Sequence, residues 1–175
     1  LIKERDLMMG FTTSEAILSG LPSKTLGLNP NIHGARLSSG FDDLLEQYRS
    51  LRVYLHTTSN DYEDGYNLSL LEAMAVGMPV ISISNKTSPI TNGINGYISN
   101  DIQYLRTCAV SLLEDRNLAN SLGQKARETV REKFSQIKFL KLWVQSIEAA
   151  IIEFLENSPK ELSGEEVEIK TQQEN

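Results

Sequence analysis

Between residues 6 and 19 the apolar positions Leu7, Phe11, Ile17 and Leu18 recur at loosely helical spacing across Gly10, and Gly20, Leu21 and Pro22 close the segment. The pattern predicts one helix there. Residues 25–28 and 35–37 read as two short strands, parted by a turn cluster that includes Asn29, Pro30 and Asn31. Residues 41–49 return to helical periodicity, with Leu44, Leu45 and Tyr48 on one face. The compact apolar run Val53, Tyr54, Leu55 and His56 is of the kind that lies buried inside a parallel sheet. A polar loop, residues 57–64, follows it. After Gly65 the residues from Tyr66 to Val76 are rich in helix formers, and Gly77 and Pro79 stop them. Residues 79–83 form the next apolar run. Strand, loop, helix, tight turn and strand within about thirty residues make a βαβ unit, and such a crossover feeds a parallel sheet.

Further on, Asn92, Gly93, Ile94, Asn95 and Gly96 supply turn chemistry ahead of the short apolar pair Tyr97 and Ile98. Helical patterns then occupy residues 101–113, 117–133 (in one or two pieces) and 136–156. The last carries Phe139, Leu140, Trp143, Ile147, Ala150, Ile151 and Phe154 on one stripe, which predicts a packed face. Residues 158–175 are polar, acidic and nearly free of large apolar groups, so they read as a disordered tail. Residues 1–157 are thus expected to form one α/β domain. No internal repeat is visible.

Composition narrows the class. With 175 residues, 40% hydrophobic and 23% charged, the chain is an ordinary globular sequence with room for one core. A net charge of −6 and a pI near 5.0 argue against a nucleic-acid partner, because phosphate backbones are held by clustered Lys and Arg. The single cysteine, Cys108, has no partner for an internal disulfide and reads as a small buried hydrophobe. No run of about 18 apolar residues and no basic-then-apolar leader is present, so a cytoplasmic location is expected, with the inner face of a membrane as the alternative. The chain begins at Leu1 and reads as a fragment. His33 and His56 have no spaced partners, so no metal site is expected.

Ligands of open α/β sheets bind outside the carboxyl ends of the strands, which is where the loop 57–64 emerges. Gly65 has no Cβ to fend off a ligand. The helix after it offers N–H groups at Tyr66, Asn67 and Leu68 and the positive end of its dipole, a combination that suits a diphosphate. Asp64 stands at the helix mouth and Glu72 about two turns inside, where carboxylates accept from sugar hydroxyls. Read singly, the two acids are also what a helix end and a solvated helix face attract. Tyr66 reads as a packing residue at the mouth before it reads as a stacking platform.

The run Asp64-Gly65-Tyr66-Asn67, then Glu72-Ala73-Met74-Ala75, Gly77 and Pro79-Val80-Ile81, resembles retaining glycosyltransferases of the two-domain GT-B kind, of the group 1 or family 4 type. Their carboxyl-terminal domain carries Glu-Gly-Phe-Gly, four residues, and then Glu-Ala-Met-Ala-x-Gly-x-Pro-Val-Ile. The segment from Asn92 to Tyr97 resembles the family's Asp-Gly-x-Asn-Gly-Phe, and the likeness covers roughly residues 40–156. It implies a doubly wound, Rossmann-like parallel sheet, the carboxyl-terminal half of a GT-B fold, with its first strand either present or missing. It also implies an acceptor-binding half that precedes residue 1, without which the chain is expected to be inactive.

By this resemblance Asp64 is the catalytic acid beside the donor sugar, Glu72 holds the ribose hydroxyls, and Gly65 and the amides of Tyr66, Asn67 and Leu68 hold sugar or phosphate oxygens. Glu63, Lys3 and Arg5 are further donor-site candidates. The implied partners are a UDP- or GDP-linked sugar and an acceptor such as a glycan or lipid-linked sugar, with no metal and no other cofactor. Three positions depart from the pattern. The first acid is Asp64 where the family has Glu; residues 85–90 lack the Gly-Gly and following Glu; and the family's Arg and Lys have counterparts only in Lys3 and Arg5. A GT-B epimerase acting on a nucleotide sugar and a non-catalytic sugar-nucleotide-binding module stand as rival readings, and fold alone does not decide among the three.

Overall fold

The structure, a computed structural model, describes residues 2–62 and 65–157. The tail from Ser158 onward lies outside the described residues, as do Glu63 and Asp64. Two compact units are present, divided after Ser135.

The first unit opens with α1 (Asp6–Met9) and α2 (Phe11–Leu18), two helices where the periodicity suggested one. The break is at Gly10, whose φ of 65° ends α1 in the left-handed region. Backbone also approaches closely there, since a Cβ at this position would lie 2.2 Å from the Thr57 carbonyl oxygen. The two strands expected at residues 25–28 and 35–37 reduce to one bridge between Leu26 and Arg36, held by Gly27 N–H to Arg36 O (3.0 Å) and Arg36 N–H to Thr25 O (3.3 Å). Turn residues flank both segments too closely for a ladder to extend.

From there the order is α3 (Phe41–Ser50), β1 (Tyr54–His56), α4 (Leu68–Ala75), β2 (Val80–Ser82), β3 (Gly96–Ile98), α5 (Ile102–Glu114) and α6 (Arg116–Lys133), the last a single helix. The three strands pair in parallel in the order β1-β2-β3, with Leu55 beside Ile81 and Ile81 beside Tyr97. Side chains alternate across the sheet, as the two-residue period of a strand requires. Tyr54, Val80 and Ile98 join Tyr48 of α3, Leu70 and Met74 of α4 and Ala126 of α6 on one face. Leu55, Ile81 and Tyr97 join Ile17 of α2 and Leu105, Cys108 and Leu112 of α5 on the other. Helices cover both faces, as in the expected doubly wound α/β class. Each fully buried Leu or Ile among these contributes about 1.5–3 kcal/mol.

Polar groups fix the ends of the elements. Asp101 accepts from Gln103 and Tyr104 N–H at 2.9 and 3.1 Å, and Asp115 accepts from Asn117 and Leu118 N–H at 2.8 and 3.0 Å, capping α5 and α6. Asn95, 2% exposed, ties the turn before β3 together by accepting from Thr91 N–H and donating to Pro89 O and the Thr129 hydroxyl.

The second unit contains α7 (Gln136–Asn157). None of its residues is buried, and Phe139 and Trp143 stack on each other with centroids 6.1 Å apart. Ile137, Leu142, Val144, Ile152 and Leu155 widen the apolar surface beyond one stripe, and all five are exposed. No described helix is long and apolar enough to cross a membrane.

Candidate functional site

Three segments meet beyond the carboxyl ends of β1 and β2. The backbone at the end of α1 receives the start of the loop after β1: Ser59 N–H donates to Met8 O and the Thr57 hydroxyl to Met9 O, both at 2.9 Å. The loop after β2 is tied to the same β1 loop, with Lys86 N–H donating to Asn60 Oδ1 at 3.0 Å and the Thr87 hydroxyl to Gly65 O at 2.5 Å. Thr87 N–H in turn donates to Asn85 Oδ1 at 2.8 Å. The segment that departs from the family's Gly-Gly pattern therefore serves as a brace for the backbone at Gly65.

At the mouth of α4 the sequence expectation needs a correction. The helix begins at Leu68, two residues later than the run of helix formers suggested, because Asn67 is its cap. The Asn67 side chain accepts from Leu70 N–H at 3.0 Å and its carbonyl from Leu71 N–H at 3.1 Å. Tyr66 and Asn67 thus precede the helix, and the amides at its dipole end are those of Leu68 and Ser69, which have no intrahelical acceptor. Gly65 has φ of 90°, and a Cβ there would meet no described residue beyond its chain neighbours within 4 Å. The approach to these amides is open on that side. Tyr66 is half exposed and packs edge-on against Phe134 with centroids 4.7 Å apart, which is a packing role.

Glu72, in the second turn of α4, is exposed, yet one of its oxygens is fixed: Oε2 accepts from the Tyr48 hydroxyl at 3.0 Å. Tyr48 is 6% exposed, its ring set in the core beneath α4, and its hydroxyl also lies 3.5 Å from Ser69 O. Burial, and then the bond to Glu72 and its negative charge, push the Tyr48 phenol well above its ordinary pKa, so it remains a donor. Among the described residues, Glu72 Oε1 has no donor. The periodicity of residues 41–49 places Tyr48 on a core face without showing this bond. The missed signal is that a buried tyrosine hydroxyl has to find an acceptor.

Of the basic candidates, Arg5 lines a cavity with Met8 and Tyr62. Lys3 instead stands over the Phe11 ring, its ammonium 5.7 Å from the centroid. Gly65 and the first amides of α4 follow the loop that leaves the carboxyl end of β1, and Glu72 stands on the second turn of that helix, while Glu63 and Asp64 lie outside the described residues. His56 is buried at the end of β1. Cys108 is buried too, and burial raises its thiol pKa. At the opposite end of the sheet, a cavity lined by Arg49, Arg52, Arg116 and Pro79 contains none of the expected site residues.

Residues 9–115 match the family described as Glycosyl transferases group 1. The chain is 34% identical over 82 residues to N-acetyl-alpha-D-glucosaminyl L-malate synthase of Bacillus anthracis, a match covering 45% of this chain and 22% of the relative. It is 33% identical over 95 residues to poly(ribitol-phosphate) alpha-N-acetylglucosaminyltransferase of Staphylococcus aureus, covering 51% of this chain and 19% of that protein. The chain thus spans about a fifth of the length of these curated relatives. Among solved structures, the Anabaena protein HepE in complex with UDP-glucose superimposes with a TM-score of 0.66 at 14% identity, over 82% of this chain and 46% of HepE, a likeness of fold. A family match over more than half of the chain, on the fold and the α4 motif described above, establishes that the chain belongs to the Glycosyl transferases group 1 family.

Proposed function

We propose that the chain is the donor-binding half of a retaining glycosyltransferase, which holds a nucleotide diphosphate sugar at the mouth of α4 and needs an acceptor-binding half to transfer the sugar. The observation that carries this reading is the pairing of open helix-end amides at Leu68 and Ser69 with an exposed carboxylate, Glu72, on the next turn of the same helix. The amides and the dipole suit the diphosphate. The carboxylate suits the ribose hydroxyls. Asp64, just before Gly65 in sequence, takes the position beside the transferred sugar, with Glu63 and Arg5 as further contributors. Leaving-group charge is met by dipoles and guanidinium rather than by a metal. Support comes from HepE, which was solved with UDP-glucose, and from the two relatives named above, whose alpha-linked names accord with retention of an α-linked donor sugar.

Catalysis of transfer depends on holding the acceptor against the anomeric carbon and keeping water out, which one half of such a site does not do. The expected result is weak binding of a nucleoside diphosphate by the 175-residue chain and no transfer. Calorimetry with UDP, GDP and ADP, together with a turnover assay on nucleotide sugars, checks both parts. Robust transfer by the chain alone would contradict the reading.

A further inference from the structure

We infer that Tyr48 is a positioning residue for the nucleotide site, which presets the Glu72 carboxylate for the ribose before the nucleotide arrives; this rests on the assignment of Glu72 to the ribose made above. Glu72 projects from an exposed position of α4, and an unrestrained glutamate there samples many rotamers, losing that freedom when it binds. The Tyr48 hydroxyl, 3.0 Å from Oε2, removes most of it in advance. The anchor itself is immobile. Tyr48 comes from α3, its ring is 6% exposed, and it packs with Leu70, Met74 and Val80, so the donor is held by the core and not by another surface side chain. A phenol is also the right kind of anchor. It supplies one proton to one carboxylate oxygen, carries no charge to compete for the ligand, and leaves Oε1, which meets no donor among the described residues, to meet a hydroxyl. An arginine at the same place would engage both oxygens and neutralise the carboxylate. Preorganisation of this sort raises affinity by lowering the ordering cost of binding, without adding a contact to the ligand.

The test uses the 175-residue chain and whichever of UDP, GDP and ADP binds it most tightly, beside the 2′,3′-dideoxy form of that nucleotide. Tyr48→Phe removes only the hydroxyl. The expected result is a folded protein whose Kd for the ribonucleotide rises about 3- to 12-fold, the scale of ordering one rotamer-rich side chain on binding. Affinity for the dideoxy nucleotide should change by less than about twofold, because Glu72 then has no hydroxyl to meet. Glu72→Ala should weaken the ribonucleotide at least as much, and adding Tyr48→Phe to it should cost little more, the non-additivity of a coupled pair. Equal loss for both nucleotides, or a Tyr48→Phe chain that fails to fold, would mean the hydroxyl serves the scaffold and would overturn the inference. An unchanged Kd in Tyr48→Phe alongside a weakened Glu72→Ala would overturn it and leave the ribose assignment standing. Unchanged affinity in Glu72→Ala, or no binding of any of the three nucleotides, would overturn both.

Discussion

Gly65 and Glu72 serve the site in opposite ways, one by leaving room and the other by reaching out. Among the described residues, none beyond the chain neighbours of Gly65 lies within 4 Å of where a side chain there would begin, which leaves room beside the α4 amides. Glu72 is held at one oxygen and, among the described residues, meets no donor at the other. Asp64 and Glu72 are therefore expected to fail differently. In an enzyme that carries both halves, Glu72→Ala should weaken nucleotide binding by roughly 1.5–3 kcal/mol, the range for hydrogen bonds to a charged acceptor. Asp64→Asn should lower turnover with little change in nucleotide affinity, as expected for a group whose interactions matter only in the transition state. Steady-state kinetics and binding on the same two variants check the division, and the reverse pattern would refute it.

At the scale of elements, the periodicity located β1, β2, α3 and the helices from α5 onward to within a residue or two, because each has a sustained pattern and strong ends. Asp101 and Asp115 show the strength of those ends, each capping a helix with two accepted N–H bonds. The break at Gly10 was not legible, since its cause is the Thr57 carbonyl, a contact 47 residues away in sequence. Nor was the late start of α4, since Asn67 fits equally well as a first-turn residue until its side chain is seen accepting from Leu70 N–H. The Tyr48 to Glu72 bond joins two helices across 24 residues, and spacing alone cannot reveal it. Gly10→Ala tests the tight junction between α1 and the β1 exit. It combines a left-handed backbone cost of about 1–2 kcal/mol with a clash against Thr57 O. The melting temperature should fall by roughly 2–4 °C for each kcal/mol lost. Thermal denaturation followed by circular dichroism measures it, and an unchanged midpoint would show that the junction relaxes freely.

For the whole molecule, the choice lies between two ends of one sheet. Beyond the carboxyl end of β1 stand Gly65 and the amides of Leu68 and Ser69, with Glu72 on the next turn of α4; the amino ends present a cavity lined by Tyr48, Arg49, Arg52 and Arg116, which offers an anion a different home. Guanidinium groups attract phosphate wherever they lie, so affinity by itself does not discriminate between the two ends. Position does. The most direct measurement is a titration of the isotope-labelled chain with UDP, GDP and ADP, following backbone amide shifts by NMR, on the unsubstituted protein and on Gly65→Val. The donor-site account expects the largest shifts at residues 65–69, and expects them to vanish in a folded Gly65→Val chain, because a branched side chain fills the open approach. Shifts centred on Arg49, Arg52 and Arg116, or undiminished binding at the α4 mouth of a folded Gly65→Val chain, would contradict it.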